Sequence, residues 1–221
     1  MTLDGTRTYI IGTERVAIID PGPLLETHID AVAEAIGDGV PASILVTHSH
    51  PDHADGASAL ADRLGTSVLD VRDGDIVQTD AGELRTVATP GHTPDHFSFW
   101  WHDERAVFCG DLMMGGLDTA LVASPEGDLA EYFRSLRLLR ALRPLLIFPA
   151  HGPAIGDPDD AIDRYIAHRE ERLTQVRRAL ADGTEPDHVV DHVYGDSIDQ
   201  RLRPYAQAAI DAYIDYIREH G

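Results

Sequence analysis

From residue 7 to about residue 155, short apolar runs alternate with longer amphipathic segments. The short runs are rich in Val, Ile and aromatic residues and are bounded by Gly, Pro or Asp, a pattern that predicts β-strands. The predicted strands cover residues 7–11, 16–19, 43–47, 67–71, 84–89, 97–101, 106–109 and 145–149. The longer segments have apolar residues at helical spacing and predict helices over residues 25–36, 55–64 and 128–143. Interleaved strands and helices indicate an α/β fold with mixed layers.

The pattern changes after Gly156-Asp157-Pro158, where strand-like runs cease. One amphipathic helix carries an apolar face from Ile162 to Leu180, and a second carries one from Leu202 to Ile217. The sequence therefore predicts a larger α/β domain over residues 1–157 and a helical appendage over residues 158–221.

Composition limits the class of protein. Apolar residues make up 43% of the 221 residues, which is enough for a folded core and argues against disorder. No apolar run approaches the roughly 20 residues needed to span a bilayer, and residues 1–7 lack the basic start and apolar stretch of a signal peptide. The single cysteine, Cys109, fits a reducing compartment. We therefore expect a cytoplasmic protein without membrane contact.

The charge of the chain is strongly acidic. Asp and Glu number 38 against 18 basic residues, all of them Arg, which gives a net charge of −20. The absence of Lys excludes Lys-based or Schiff-base catalysis, and the negative field disfavours polyanions. Nucleic acid is thus an unfavoured partner, although not an excluded one, and a small-molecule substrate is expected. The sequence leaves the oligomeric state open.

Residues 47–56 concentrate metal-binding side chains directly after an apolar run. His48, His50, Asp52 and His53 fall within six residues, where a loop at a strand end can bring them around a cation. Imidazole nitrogens and carboxylate oxygens suit Zn²⁺, Mn²⁺ or Fe²⁺. A metal site is the stronger interpretation, because a solvated loop has no need of four ligand side chains at this spacing.

These four residues resemble the H-x-H-x-D-H motif of the metallo-β-lactamase superfamily. The family's other motifs lie at strand ends and in the expected order. They are Asp20 before Pro21-Gly22, His92 after Gly91, Asp111 after Gly110, and His151 before Gly152. The resemblance implies a four-layer αβ/βα metallo-β-lactamase sandwich, with the catalytic domain in residues 1–157.

The resemblance also implies how the ligands divide between two divalent ions, with zinc expected and manganese or iron as alternatives. One ion would be bound by His48, His50 and His92, and the other by Asp52, His53 and His151, with Asp111 bridging the two. Asp20 would orient a ligand through a hydrogen bond, or alternatively cap the turn before Pro21-Gly22.

Two such ions would lower the pKa of a shared water and present a metal-bridging hydroxide to a carbonyl or phosphorus atom. Asp52 is the predicted catalytic residue, which would orient the water or carry a proton. The sequence leaves open whether His96 or His168 reaches the site.

Within the superfamily, the chain resembles the lactamase-like protein 2 and glyoxalase II-like group, through residues 90–96, 127–132 and 165–172. The C-terminal part of that group resembles a winged helix, so residues 158–221 are predicted to form a truncated, winged-helix-like appendage. A carboxylate at Asp111, in place of the cysteine ligand of zinc β-lactamases, argues against lactam hydrolysis. We predict a binuclear hydrolase of a small ester, thioester or lactone. The alternatives are a metal-dependent endoribonuclease or phosphodiesterase of the lactamase-like protein 2 type, and a mono-iron persulfide dioxygenase-like oxidoreductase.

Overall fold

Strands and helices alternate along most of the chain in the computed structural model, which describes residues 5–195 and 198–221. The strands are β1 (Tyr9–Ile11), β2 (Arg15–Ile19), β3 (Val40–Leu45), β4 (Ile76–Thr79), β5 (Gly82–Ala88), β6 (Phe97–Trp101), β7 (Ala106–Gly110) and β8 (Leu146–Pro149). The helices are α1 (Glu26–Ile36), α2 (Pro51–Ala54), α3 (Ala57–Leu64), α4 (Leu129–Leu142), α5 (Pro158–Ala181), α6 (Val189–Tyr194) and α7 (Arg203–His220). Residues 1–4 of the predicted larger domain and residues 196–197 of the predicted appendage lie outside the described residues.

The strands form two sheets. The first has the order β1-β2-β3, with β1 antiparallel and β3 parallel to β2. The second has the order β4-β5-β6-β7-β8, antiparallel throughout except for the parallel pair β7 and β8. As a result the carboxyl ends of β2 and β3 lie on the same side of the first sheet. In the second sheet, β5, β7 and β8 run in one direction, so their carboxyl ends also lie on the same side.

Alternating residues of β2 serve different layers, as the pleat of a strand requires. Val16 and Ile18 pack in one core with α1 and α3, whereas Ala17 and Ile19 pack in another with Phe99 and other residues of the second sheet. The sequence is apolar on both faces because the first sheet is covered on both sides, by helices and by the other sheet.

The second sheet is also covered on both sides. Phe108 of β7 belongs to the core between the sheets, whereas Val107 and Cys109 pack with Leu136 of α4 and Ile162 of α5. Helices, two sheets and helices therefore stack in four layers, which confirms the predicted αβ/βα sandwich.

The C-terminal helices share a further core with α4. Phe133 of α4 packs in it with Leu173 and Val176 of α5 and with Ile210 and Tyr213 of α7. The described residues beyond 158 form helices and no strand, and the division of the chain at residue 157 stays a prediction. Within residues 5–195 and 198–221, no helix combines the length and apolar character that a bilayer crossing requires.

One predicted strand, at residues 67–71, is wrong. Only Val68 forms an isolated bridge, to Ile44, and its side chain is 40% exposed. The true strand of this region is β4, which pairs with β5 in a hairpin. Its pattern was too weak to predict a strand because Ile76 faces solvent and Val77 alone of its residues is buried.

Candidate metal centre

Polar side chains gather where strands of both sheets end. Asp20 directly follows β2, Asp111 directly follows β7, and His151 lies two residues after β8. The loop after β3 supplies His48 and His50, the short helix α2 that follows supplies Asp52 and His53, and the loop after β5 supplies His92. Because these strands run in the same direction within each sheet, residues far apart in sequence meet at the carboxyl ends of the strands.

The first donor set consists of His48, His50 and His92. His48 Nε2 lies 2.9 Å from His50 Nδ1, which in turn lies 3.2 Å from His92 Nε2. Two nitrogens bound to a tetrahedral zinc ion at about 2.0–2.1 Å are about 3.3 Å apart. The spacing of these three nitrogens is therefore compatible with one shared ion.

The second donor set consists of Asp52, His53 and His151. His151 Nε2 lies 3.4 Å and His53 Nε2 lies 3.6 Å from Asp52 Oδ2. The three donor atoms also lie within 4.8 Å of one another, which is close enough to surround one cation. The structure thus brings together the predicted ligands of the second ion.

Asp111 lies between the two donor sets and turns one oxygen toward each. Its Oδ1 is 3.2 Å from His151 Nε2 and 3.6 Å from His53 Nε2, and its Oδ2 is 3.7 Å from His92 Nε2. This is the position that the predicted bridging role requires.

Each ring of the first donor set uses its other nitrogen to donate a hydrogen bond away from the site. His92 Nδ1 donates to Leu121 O (2.6 Å), and His50 Nε2 donates to Glu126 Oε2 (3.2 Å). His48 Nδ1 lies 3.1 Å from Thr47 Oγ1, whose own proton goes to the Asp20 carboxylate, so Thr47 accepts from His48. In a neutral ring, these bonds leave a lone pair on each inward nitrogen.

The rings of the second donor set are oriented in the same way. His53 Nδ1 donates to Asp20 Oδ2 (3.0 Å), and His151 Nδ1 donates to Gly5 O (3.1 Å). Asp20 also accepts the backbone N–H of Thr47 (2.8 Å), so its buried carboxylate holds both a predicted ligand and the start of the ligand loop.

Two inward atoms of the site, His53 Nε2 and Asp111 Oδ1, are buried and have no hydrogen-bond partner. Buried polar atoms without a partner are costly unless an ion or water pairs with them. With the converging lone pairs of the first donor set, they show that the residues present fit metal cations.

Burial and neighbouring charges divide the histidines into two groups. Burial lowers the pKa of His48 and of His92, so these rings are neutral and ready to bind a metal. Burial also opposes protonation of His53, but the neighbouring carboxylates of Asp111 and Asp20 outweigh burial and raise its pKa to about 10. Burial would raise the pKa of Asp111, but the adjacent rings of His151 and His53 lower it instead.

His96 lies behind the site and is not one of the converging donors. Its Nε2 accepts the backbone N–H of Asp111 (3.2 Å), and its Nδ1 lies 3.0 Å from Thr89 Oγ1. Burial lowers its pKa to about 3, so the neutral ring acts as an acceptor that holds Asp111 in place. His168 lies on α5 and belongs to neither donor set.

Several residues that support the site were not found from the sequence. Glu126 lies in an exposed Pro-Glu-Gly turn with no ligand spacing, and Leu121 and Gly5 contribute only backbone carbonyls. Thr6 donates its hydroxyl to Asp52 Oδ2 (3.2 Å). One feature of the sequence could have indicated such support. Thr47 directly precedes His48, and a hydroxyl next to a ligand can bond both that ligand and Asp20.

The fold and the site at the strand ends together define an αβ/βα sandwich with a candidate metal centre. A profile of the metallo-β-lactamase superfamily matches residues 1–69 and 66–151. The chain therefore belongs to the metallo-β-lactamase superfamily, which confirms the family predicted from its motifs.

Several curated proteins are similar to this chain over most of its length. The chain is 33% identical over 224 residues to the beta-lactamase-like protein 2 homolog of Caenorhabditis elegans, an alignment that covers 89% of this chain and 73% of the worm protein. It is 34% identical to lactamase-like protein aptB of Emericella nidulans, covering 81% of this chain and 62% of that protein. It is 27% identical to an atrochrysone carboxyl ACP thioesterase of Aspergillus fumigatus, covering 98% of this chain but 56% of that enzyme. The chain thus spans about three fifths of the length of these two fungal relatives.

Solved structures share the fold. A beta-lactamase domain protein from Burkholderia ambifaria superposes with a TM-score of 0.85 at 20% identity, over 98% of this chain and 83% of that chain. A protein solved in a di-iron-bound form matches with a TM-score of 0.57 at 25% identity, over 71% of this chain and 93% of that one. The first match extends the common fold to the C-terminal helices.

Proposed function

We propose that this protein is a binuclear metal-dependent hydrolase that acts on a small ester, thioester or lactone. The observation that carries the proposal is the orientation of five histidine rings, each of which directs one nitrogen inward and bonds the other to an oxygen. A structural histidine cluster has no reason to direct five nitrogens at one another and at two carboxylates. Zinc is the proposed ion because imidazole and carboxylate donors at this spacing suit it, and iron is the alternative.

The chemistry divides between the ions and the protein. Two divalent ions held here would lower the pKa of a shared water and polarise a substrate carbonyl. Asp52 is half-buried and accepts a hydrogen bond from Thr6, so it can orient the attacking water and take up its proton. Asp111 would hold the two ions at a fixed separation, while Asp20 keeps His53 in the orientation that binds one of them.

A cavity next to Glu126, which supports His50, favours a substrate without negative charge. Its volume is about 350 Å³, and its lining includes Glu126, whose carboxylate bonds His50. Asp128, Asp215 and Glu219 also line it, together with apolar side chains such as Leu129. Four carboxylates at the cavity wall repel phosphates, which argues against RNA as the substrate.

A thioester is the first substrate to test, since one relative is named as an ACP thioesterase. The assay compares an acyl thioester of N-acetylcysteamine, which carries no charge, with the coenzyme A thioester of the same acyl group. A lactone, an aryl phosphodiester and a single-stranded RNA complete the panel. We expect two metal ions per chain and a higher kcat/KM for the uncharged thioester, because only the coenzyme A compound brings phosphates to the acidic wall.

The variant His50→Ala removes a ligand, and we expect it to lower kcat/KM by at least about 100-fold, beyond the effect of losing a supporting residue. Glu104→Gln, in the turn between β6 and β7 at the opposite edge of the sheet, serves as the control. One iron per chain with persulfide-dependent oxygen uptake would overturn the proposal. So would RNA cleavage faster than turnover of every small substrate.

A further inference from the structure

The two donor sets are supported from different parts of the chain. In the first donor set, His92 donates to Leu121 O and His50 donates to Glu126 Oε2, and both acceptors lie in the loop of residues 120–127. In the second donor set, the acceptors are Asp20 and Gly5, both from the N-terminal part of the chain. A change in the loop should therefore affect one metal position and leave the other in place.

The loop of residues 120–127 is fastened to the C-terminal helices. Ser124 donates its backbone N–H to Ala208 O of α7 (2.9 Å) and its hydroxyl to Asp215 Oδ2 of the same helix (3.3 Å). At the start of the loop, the guanidinium of Arg169 on α5 donates to Ala120 O, one residue before Leu121. The loop is thus held at its start and in its middle by helices outside the sheets.

Arg169 is an unusual residue to find in that place. Its side chain is 3% exposed, it lies over the ring of Tyr132 and bonds the hydroxyl of Tyr213, and no carboxylate of the described residues pairs with it. A buried cation without a counter-ion is costly unless hydrogen bonds compensate for the lost water. Here the guanidinium fixes the carbonyl that precedes the partner of His92.

We propose that the C-terminal helices set the affinity of the first metal position, through Arg169, Ser124 and Glu126 as positioning residues for His92 and His50. This inference rests on the proposed metal-binding function and adds to it which part of the chain controls which ion. Removal of a hydrogen-bond partner of a metal ligand typically lowers metal affinity by about 10- to 100-fold. Because Glu126 and Ser124 contact solvent, we expect an effect near the lower end of that range.

The test is a two-step zinc titration of the metal-free full chain against a fluorescent chelator. Glu126→Gln and Ser124→Ala should weaken one binding step about 10-fold and leave the other within about twofold. Thr6→Val, which removes the hydroxyl that bonds Asp52, should weaken the other step instead. Glu104→Gln, the same chemical change as in Glu126→Gln at the opposite edge, should leave both steps unchanged.

Cobalt-substituted protein identifies the position that weakens. Ring N–H protons of ligating histidines give shifted NMR signals near Co²⁺, three from the first donor set and two from the second. In Glu126→Gln, one signal of the group of three should exchange faster with solvent, because His50 Nε2–H has lost its carboxylate. A purely structural role for Glu126 would leave that exchange rate unchanged.

Equal weakening of both steps, or of neither, by Glu126→Gln and Ser124→Ala would overturn the inference. These two variants lie at the surface of the loop, so they test it without disturbing the core that holds Arg169. Failure of the proposed function gives a different result, since a wild-type chain that binds no metal, or that binds metal without hydrolysing any substrate of the panel, contradicts that proposal whatever the variants do.

Discussion

Asp20→Asn is the substitution that most sharply tests how the second metal position is built. The native carboxylate is 1% exposed and accepts from Thr47 N, Thr47 Oγ1 and His53 Nδ1 at 2.8, 2.9 and 3.0 Å. Asparagine has the same shape and can still accept the backbone N–H with its Oδ1. Its amide nitrogen, however, takes the place of Oδ2 and presents N–H groups to the N–H of His53.

The expected loss of stability follows from these contacts. A hydrogen bond to a charged group contributes about 1.5–3 kcal/mol, and the substitution removes the acceptor of the two bonds at Oδ2 and weakens the bond from Thr47 N. We therefore expect the free energy of unfolding of the metal-free chain to fall by about 2–4 kcal/mol. With asparagine present, a neutral His53 ring accepts at Nδ1 and keeps its proton on Nε2, the atom that faces Asp111. We expect the affinity of the second position to fall about 10- to 100-fold.

Urea unfolding of the chelator-treated chain measures the first effect, and zinc competition against a fluorescent chelator measures the second. Asp30→Asn is the matched control, because Asp30 Oδ1 lies 3.4 Å from Arg63 in an exposed pair. Such a pair contributes about 0–1 kcal/mol, so the control should remain close to wild type. The reasoning is refuted if Asp20→Asn matches Asp30→Asn both in unfolding free energy and in zinc affinity.

Four further outcomes are expected. Gly110→Ala should lower the unfolding free energy by at least about 2 kcal/mol in urea, since φ is +50° there and a Cβ would lie 2.6 Å from His96 Nε2. Leu136→Ala, at a fully buried position of α4, should cost about 2–5 kcal/mol, whereas Leu138→Ala, 39% exposed on the same helix, should cost less than about 1 kcal/mol by the same measurement. The buried thiol of Cys109, whose pKa burial raises to about 12, should resist a thiol reagent until urea unfolds the chain. Removal of metal by a chelator should lower Tm in calorimetry, because ions bind only the folded site.

The layers of the fold were predictable because each strand in the middle of a sheet carries its own signal. Val16–Ile19 and Ala106–Cys109 are apolar on both faces, which in this chain means coverage by helices on one side and by the other sheet on the opposite side. The edge strand β4 lacks that signal. Ile76 of β4 is 55% exposed, so the alternation that marks a strand contains too few buried positions. The opposite error was to predict a strand at residues 67–71. That segment has the apolar residues of a strand, but it forms only an isolated bridge, at Val68, rather than a ladder of hydrogen bonds with a neighbouring strand.

The ligands of the candidate site were predictable for two different reasons. His48, His50, Asp52 and His53 stand close enough in sequence to be found by spacing. The others required the order of strand ends, which brings the chain back to the same edge. The sequence contains no sign that β5, β7 and β8 run in one direction, and that direction is what places the distant ligands together.

The partners of the ligands obey a looser rule than the ligands themselves, and this explains why most of them, unlike Asp20, escape sequence analysis. A ligand must be a side chain that binds metal, such as His or Asp, whereas a ring N–H needs only an oxygen, which any backbone supplies. Leu121 and Gly5 act through carbonyls, so Leu121→Ala keeps the partner of His92. Glu126 acts through its side chain, so Glu126→Ala loses the partner of His50. Metal affinity should therefore tolerate the first substitution and not the second, although both lie in one loop.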